Sequence, residues 1–285
     1  GVILSHNLTA MMVSPFLVIF ILLLSILSYK RKKIFTIYQL IFAILLGLGI
    51  SSFYWIPALM EIKYTNVFSQ IGGGADFRNH FACFWQLWET PWGFGGSAPG
   101  CIDGLSLKIG KLHLMASLIS LFFALIFLKI SRKNVGLILL SLLGFILSVV
   151  FTLEISRLIW ESISLMAFLQ YPWRFLLLVS FFSSLLSGVL FLFLKGKFKY
   201  FFAISLTISL IYFNSQIFNP QTIFSRNASF YTDPAYLKWT VSKISDEYLP
   251  SNFIKPNNYN ETPSNIIAGD FADSDLLYKD KKTQR

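Results

Sequence analysis

Long apolar runs, separated by short clusters of lysine and arginine, constrain this chain more than any other feature. The runs cover residues 8–29, 34–60, 112–130, 135–153, 175–194 and 200–218. A helix needs roughly 20 mostly apolar residues to cross the hydrocarbon core of a bilayer, and each run is about that long. Composition points the same way: 55% of the 285 residues are hydrophobic and only 13% are charged. That is about half the usual charged share of a soluble domain. The expected fold class is therefore an all-α polytopic membrane protein with about six transmembrane helices, forming a helical domain over residues 1–218.

The basic clusters predict an orientation. Loops 30–33, 129–134 and 195–199 hold ten of the 24 Lys and Arg residues, and all 14 acidic residues lie elsewhere. If the spans alternate, the three basic loops share one side, which the positive-inside bias makes cytoplasmic. The N-terminus, an outer loop over 61–111, the stretch 154–174 and a tail over 219–285 then face outward from a cytoplasmic (inner) membrane. The net charge of +10 is spread over these loops rather than gathered on one face, so no nucleic-acid partner is expected; the partner is the lipid bilayer. The chain opens on Gly1 and stops in a polar run at Lys279–Arg285, which reads as a piece of a longer frame.

Two segments are expected to lie along the outer interface. Over 154–170, apolar Ile155, Leu158, Ile159, Met166 and Leu169 recur at helical spacing, as in an interfacial amphipathic helix. Trp160, Tyr171, Trp173 and Tyr200 suit an aromatic belt. Pro15 and Pro57, inside apolar runs, predict kinks. The tail, rich in Asn, Ser, Asp and Pro, reads as the start of an extracytoplasmic α/β or irregular domain.

Chemistry is expected on the outer face. The loop 61–111 mixes Glu61, Asp76 and His80 with Trp88 and Trp92 around a turn-rich Gly/Pro centre. Aromatic faces stack on sugars, which suggests a surface for a sugar-bearing or lipid-linked molecule; an interfacial anchor accounts for the same residues. Arg174 sits at the mouth of the fifth span, where a guanidinium fork matches phosphate oxygens or snorkels to headgroups. His6 and Asn7, at the outer end of the first span, face a cleft or cap a helix. Cys83 and Cys101, both in the outer loop, are disulfide candidates. His6, His80 and His113 have no ligand spacing, so no metal is expected, and no cofactor is evident.

Four segments together carry a family resemblance: Ser5–Ala10 (SHNLTA), Phe53–Glu61 (FYWIPALME), Gln86–Ser97 (QLWETPWGFGGS) and Tyr171–Phe175 (YPWRF). In this order they resemble large bacterial and archaeal membrane proteins labelled 6-pyruvoyl-tetrahydropterin synthase-related; Asp246–Pro250 (DEYLP) in the tail resembles them too. The resemblance covers nearly the whole chain. It implies a layout similar to the GT-C membrane glycosyltransferases, which use a polyprenyl-phosphate sugar on the outer face. Under it Glu61 or Asp76 acts on an acceptor hydroxyl, Arg174 holds the donor phosphate, and His6, Asn7, His80, Trp88 and Trp92 line the substrate site. The catalytic carboxylate of that class follows its first span, a position expected upstream of Gly1. Two other functions stay open: a non-catalytic scaffold for envelope assembly, and a transporter or flippase of lipid-linked intermediates. The second would ordinarily need ionisable residues deep in the spans, and the six runs hold none there.

Overall fold

The computed structural model describes residues 1–30, 34–72, 75–91, 93, 95–127, 135–220, 223–240, 250–252 and 256–261. The chain divides into two units, Gly1–Trp55 with Ile71–Gln221, and Ile56–Gln70 with Thr222–Arg285. It is mostly helical, and among the described residues there is no strand, only the isolated bridges Thr65–Pro250 and Ala82–Leu153. The helices are α1 (Val2–Ser5), α2 (Asn7–Lys30), α3 (Ile34–Ile50), α4 (Ser52–Glu61), α5 (Lys111–Ile126), α6 (Val135–Thr152), α7 (Arg157–Ser162), α8 (Leu176–Gly188), α9 (Gly196–Phe213) and α10 (Ala228–Thr232). Among the described residues, three helical segments are long and apolar enough to cross a membrane: Asn7–Ile26, Val135–Thr152 and Pro172–Leu192. The bent pair Ile37–Ile50 and Ser52–Tyr64 makes a fourth if counted as one span. Residues 31–33 and 128–134, with much of two basic clusters, lie outside the described residues, as do Trp92 and residues 246–249 of the DEYLP segment.

In the first unit, α5, α6 and α8 pack together through small residues. Ala116, Ser117, Ser120 and Ala124 form the buried face of α5; Ser141, Gly144, Ser148 and Thr152 dominate that of α6. The Ser117 hydroxyl donates to the Ser183 carbonyl at 3.2 Å, and Ser148 satisfies itself on the Gly144 carbonyl at 2.6 Å. Small residues let helix backbones approach closely. The large apolar side chains point the other way: Leu118, Phe122 and Leu125 on α5 are 66%, 61% and 69% exposed. A soluble bundle buries its Leu and Phe and exposes its Ser; α5 does the reverse, while α8 turns Leu178, Val179, Phe182 and Leu186 inward.

Neither proline interrupts its helix. Pro15 sits inside an unbroken α2. The Met11 carbonyl, which a residue with an N–H at position 15 would engage, accepts the Ser14 hydroxyl at 2.9 Å instead, the kind of substitution that lets proline persist in apolar helices. The bend of 63° comes at Ser51, not at Pro57. There the Ser51 hydroxyl bonds the Gly47 carbonyl at 2.8 Å and the Trp55 indole bonds the Leu48 carbonyl at 3.0 Å. Both side chains take acceptors at the C-terminal end of α3.

The stretch 154–170 is not one amphipathic helix. It is a 3-10 turn (Glu154–Ser156), the short α7, and a second 3-10 segment (Ser164–Leu169), broken at the extended Ile163. Trp160, expected in an interfacial belt, is 1% exposed. It stacks on Phe77 at 5.3 Å, meets Phe81 and Phe175 edge-on, and donates its indole N–H to the Phe151 carbonyl at 3.2 Å. Ile155 and Leu158 are exposed instead, because Trp160 is the larger apolar body and takes the buried position.

In the second unit, a 3-10 turn at Ile62–Tyr64 follows the last residues of α4, and Thr65 bridges Pro250 antiparallel, with the Ser251 N–H donating to the Tyr64 carbonyl at 2.8 Å. The tail adds α10 and a π-helical turn at Tyr236–Thr240.

Candidate functional site

The loop between α4 and α5 is held in place before it can present anything. The Ala82 N–H donates to the Thr152 carbonyl at 2.9 Å, seating the loop on the end of α6. Cys83 and Cys101 are joined in a disulfide with Cα atoms 5.7 Å apart. Buried Gln86 accepts the Cys83 N–H at 2.7 Å and donates to Asp103 Oδ2 at 2.8 Å. Asp103 Oδ1 takes the Ser97 hydroxyl at 2.7 Å and the Ala98 N–H at 3.0 Å. Ser97 spends its one hydrogen on Asp103, so the buried His80 ring, 2.9 Å from the same oxygen, donates from Nδ1. The order Asp103–Ser97–His80 leaves the hydroxyl facing the carboxylate rather than the imidazole. That arrangement locks a loop and does not activate a serine.

Two glycines make the fold of this loop possible. A Cβ on Gly95 would stand 2.7 Å from the Gly104 Cα, where the Gly95 N–H bonds the Gly104 carbonyl at 2.8 Å. The reversal runs through positive φ at Gly100 (86°) and Cys101 (68°).

Tyr171 gathers several residues distant in sequence. Its ring meets the His80 ring at 4.8 Å and stacks on Trp173 at 5.3 Å, and the Arg174 guanidinium lies 5.0 Å from its centroid. Half-buried Arg174 donates Nη1 to the Leu169 carbonyl at 2.7 Å, and its other N–H groups have no protein partner among the described residues. The Trp173 indole N–H is buried without one.

The remaining candidates divide by role. Asp76 caps a 3-10 turn by accepting the Arg78 N–H at 3.0 Å, and Arg78 bridges it to Glu161 at 3.0 Å. These partners hold the Arg78 pKa above its ordinary value, the Glu161 hydrogen bond most of all. His6 caps α2, its Nδ1 accepting the Thr9 N–H at 3.1 Å. Asn7 Oδ1 accepts the Tyr54 hydroxyl at 2.6 Å. Glu61 is exposed at the end of α4, in the second unit. Trp88 is half-exposed, with Lys111 Nζ 5.3 Å from its ring centroid, and Lys111 also pairs with Glu89.

Beside Trp88 lies a recess of about 370 Å³. It is lined by Lys108, Lys111, His113 and Asn214, which sequence reasoning did not assign to the site. Lys108, Lys111 and His113 follow one another closely where the loop ends and α5 begins, a signal that was present but looked like an ordinary span boundary. Comparison with protein-family models, curated proteins and solved structures finds no match to this chain.

Proposed function

We propose that this is a multi-pass protein of the cytoplasmic membrane that binds a lipid-linked sugar on its extracytoplasmic face and transfers it, in the manner of the GT-C glycosyltransferases it resembles. The observation that carries the membrane reading is the inverted patterning of α5 and α6. Small residues dominate their buried faces while Leu118, Phe122 and Leu125 face outward, an arrangement suited to lipid rather than water. Six spans, with α5 and α9 completing the set, leave the N-terminus, the loop 61–111 and the tail outside. Labelling of an introduced cysteine tests this: Lys32→Cys should be protected from an impermeant thiol reagent in intact cells, and labelling there would reverse the orientation.

The sugar site is assigned to the surface of the loop around Trp88, with Arg174 toward the donor phosphate. Label transfer from a polyprenyl-phosphate sugar by the full-length protein is the test. Trp88→Ala, at an exposed position, should lower transfer without unfolding the protein; unchanged transfer removes Trp88 from the site. A second reading is a non-catalytic binding scaffold. It is favoured by the occupation of the acidic groups, since Asp76 is spent on a cap and an ion pair and Asp103 accepts three hydrogen bonds.

A further inference from the structure

Residues of α5 and α9 together line two cavities. At one end Phe123 of α5 lies across from Phe198 and Phe202 of α9, in a wholly apolar cavity of about 280 Å³ floored by Leu190 and Phe193. At the other end the start of α5 faces Phe213 and Asn214 in the recess beside Trp88. The line of the two cavities, which adjoin at Leu112 and Met115, is apolar at one end and polar at the other. From Phe198 to Asn214 it follows α9 for about 24 Å at the usual helical rise. That exceeds one leaflet's share, roughly 15 Å, of the hydrocarbon core.

The polar end is built for a phosphate. Lys108 and Lys111 outweigh Glu89 in charge. Lys108 and His113 make no protein hydrogen bond among the described residues. The N-cap residue of α5, Gly110, lines the same recess and offers no side chain to the first N–H groups of the helix, whose dipole end favours an anion. Met115, Ile119 and Phe198, which line the apolar cavity, are exposed, open to lipid from the bilayer. Helix α9 buries no residue of its own; an acyl chain in the gutter supplies the contact that α5 does not.

We infer that this groove holds one glycerolipid of the outer leaflet with an anionic phosphate headgroup, its phosphate at Lys108, Lys111 and the start of α5, and one acyl chain along the α5–α9 gutter. This rests on the reading of the helices as lying in a bilayer.

The test is lipid retention by the whole purified chain in detergent, read by native mass spectrometry with dioleoyl phosphatidylglycerol against dioleoyl phosphatidylcholine. Phosphatidylglycerol should be retained in preference. Lys108→Ala with Lys111→Ala should lower that retention on the order of fivefold per lysine removed. Leu206→Trp, which fills the gutter, should lower it with the headgroup end intact. Lys195→Ala with Lys197→Ala, at the opposite end of α9, should leave it unchanged. Equal retention of the two lipids, or equal loss in the two double-lysine variants, overturns the assignment while the bilayer reading stands. A chain that stays monodisperse without detergent and retains neither lipid overturns the bilayer reading itself.

Discussion

Arg174 and Leu169 are joined across a strained turn. The guanidinium Nη1 donates to the Leu169 carbonyl at 2.7 Å, and the same oxygen takes the Tyr171 N–H at 2.6 Å. Between them Gln170 is held at φ 62° and ψ −47°, a tight three-residue turn that is rare for a residue with a side chain. The residue read from the sequence as a phosphate ligand thus also holds the backbone that places Tyr171 against His80.

A clamp of this kind should show in stability. Arg174→Ala should cost about 1–3 kcal/mol through the lost charged hydrogen bond. Gln170→Gly should be neutral or stabilising by roughly 1 kcal/mol, since glycine adopts positive φ without penalty. Thermal unfolding of both variants in detergent checks the pair. Equal destabilisation by the two would mean that the turn is unstrained.

Gly144 lies against Phe182, and a Cβ there would overlap the ring. Gly144→Ala should destabilise by about 1–3 kcal/mol through overpacking. Adding Phe182→Leu should recover part of the loss, as expected for residues in direct contact. Additive losses in the double variant would separate the two positions.

Trp160 and Leu158 sit two residues apart on opposite sides of α7. Trp160→Ala should cost about 3–5 kcal/mol, the range for emptying a buried aromatic site, whereas Leu158→Ala should stay within roughly 0.5 kcal/mol in detergent. The reverse order would restore Trp160 to the interfacial belt.

Lys111 holds the Glu89 carboxyl below its ordinary pKa, first through their hydrogen bond and then through charge. A depressed acid contributes stability above its unfolded value, near 4.3. The contribution fades as pH falls below that value and is lost through the lower folded pKa. The pair is exposed, so the effect is small and screened by salt. Trp88 fluorescence should report it, because Lys111 lies over that ring. A change below about pH 4.3 in the native chain should vanish in Glu89→Gln, and persistence in that variant would assign the titration to another group.

Much of the architecture was legible in the residues. The apolar runs over 8–29, 135–153 and 175–194 meet long helices close to those bounds, because a run that cannot satisfy its backbone in lipid except as a helix has one local answer. The run 34–60 was legible as a kinked helix, but the bend was expected at Pro57 and lies at Ser51, since the carbonyls at its break are taken by Ser51 and Trp55, and side-chain bonds of that range leave no periodic trace. The stretch 154–170 misled for a related reason. Helical spacing of Ile155, Leu158 and Ile159 was real, yet the core needed one large ring more than a stripe of small ones, and Trp160 turned inward. At the candidate site, Trp88, Arg174 and His80 stood out by residue type. The partners that orient them did not.

Local chemistry therefore determined which segments are helical, where basic residues interrupt them, and which loop carries the aromatic and acidic side chains; each follows from short-range properties of the chain. Which helix faces pack, that His80 and Arg174 meet at Tyr171, that Asp103 locks a loop, and that Lys108, Lys111 and His113 stand at the mouth of an apolar groove were decided by the tertiary structure alone. Those relationships join residues far apart in sequence, and packing selects among them only once the chain has closed on itself.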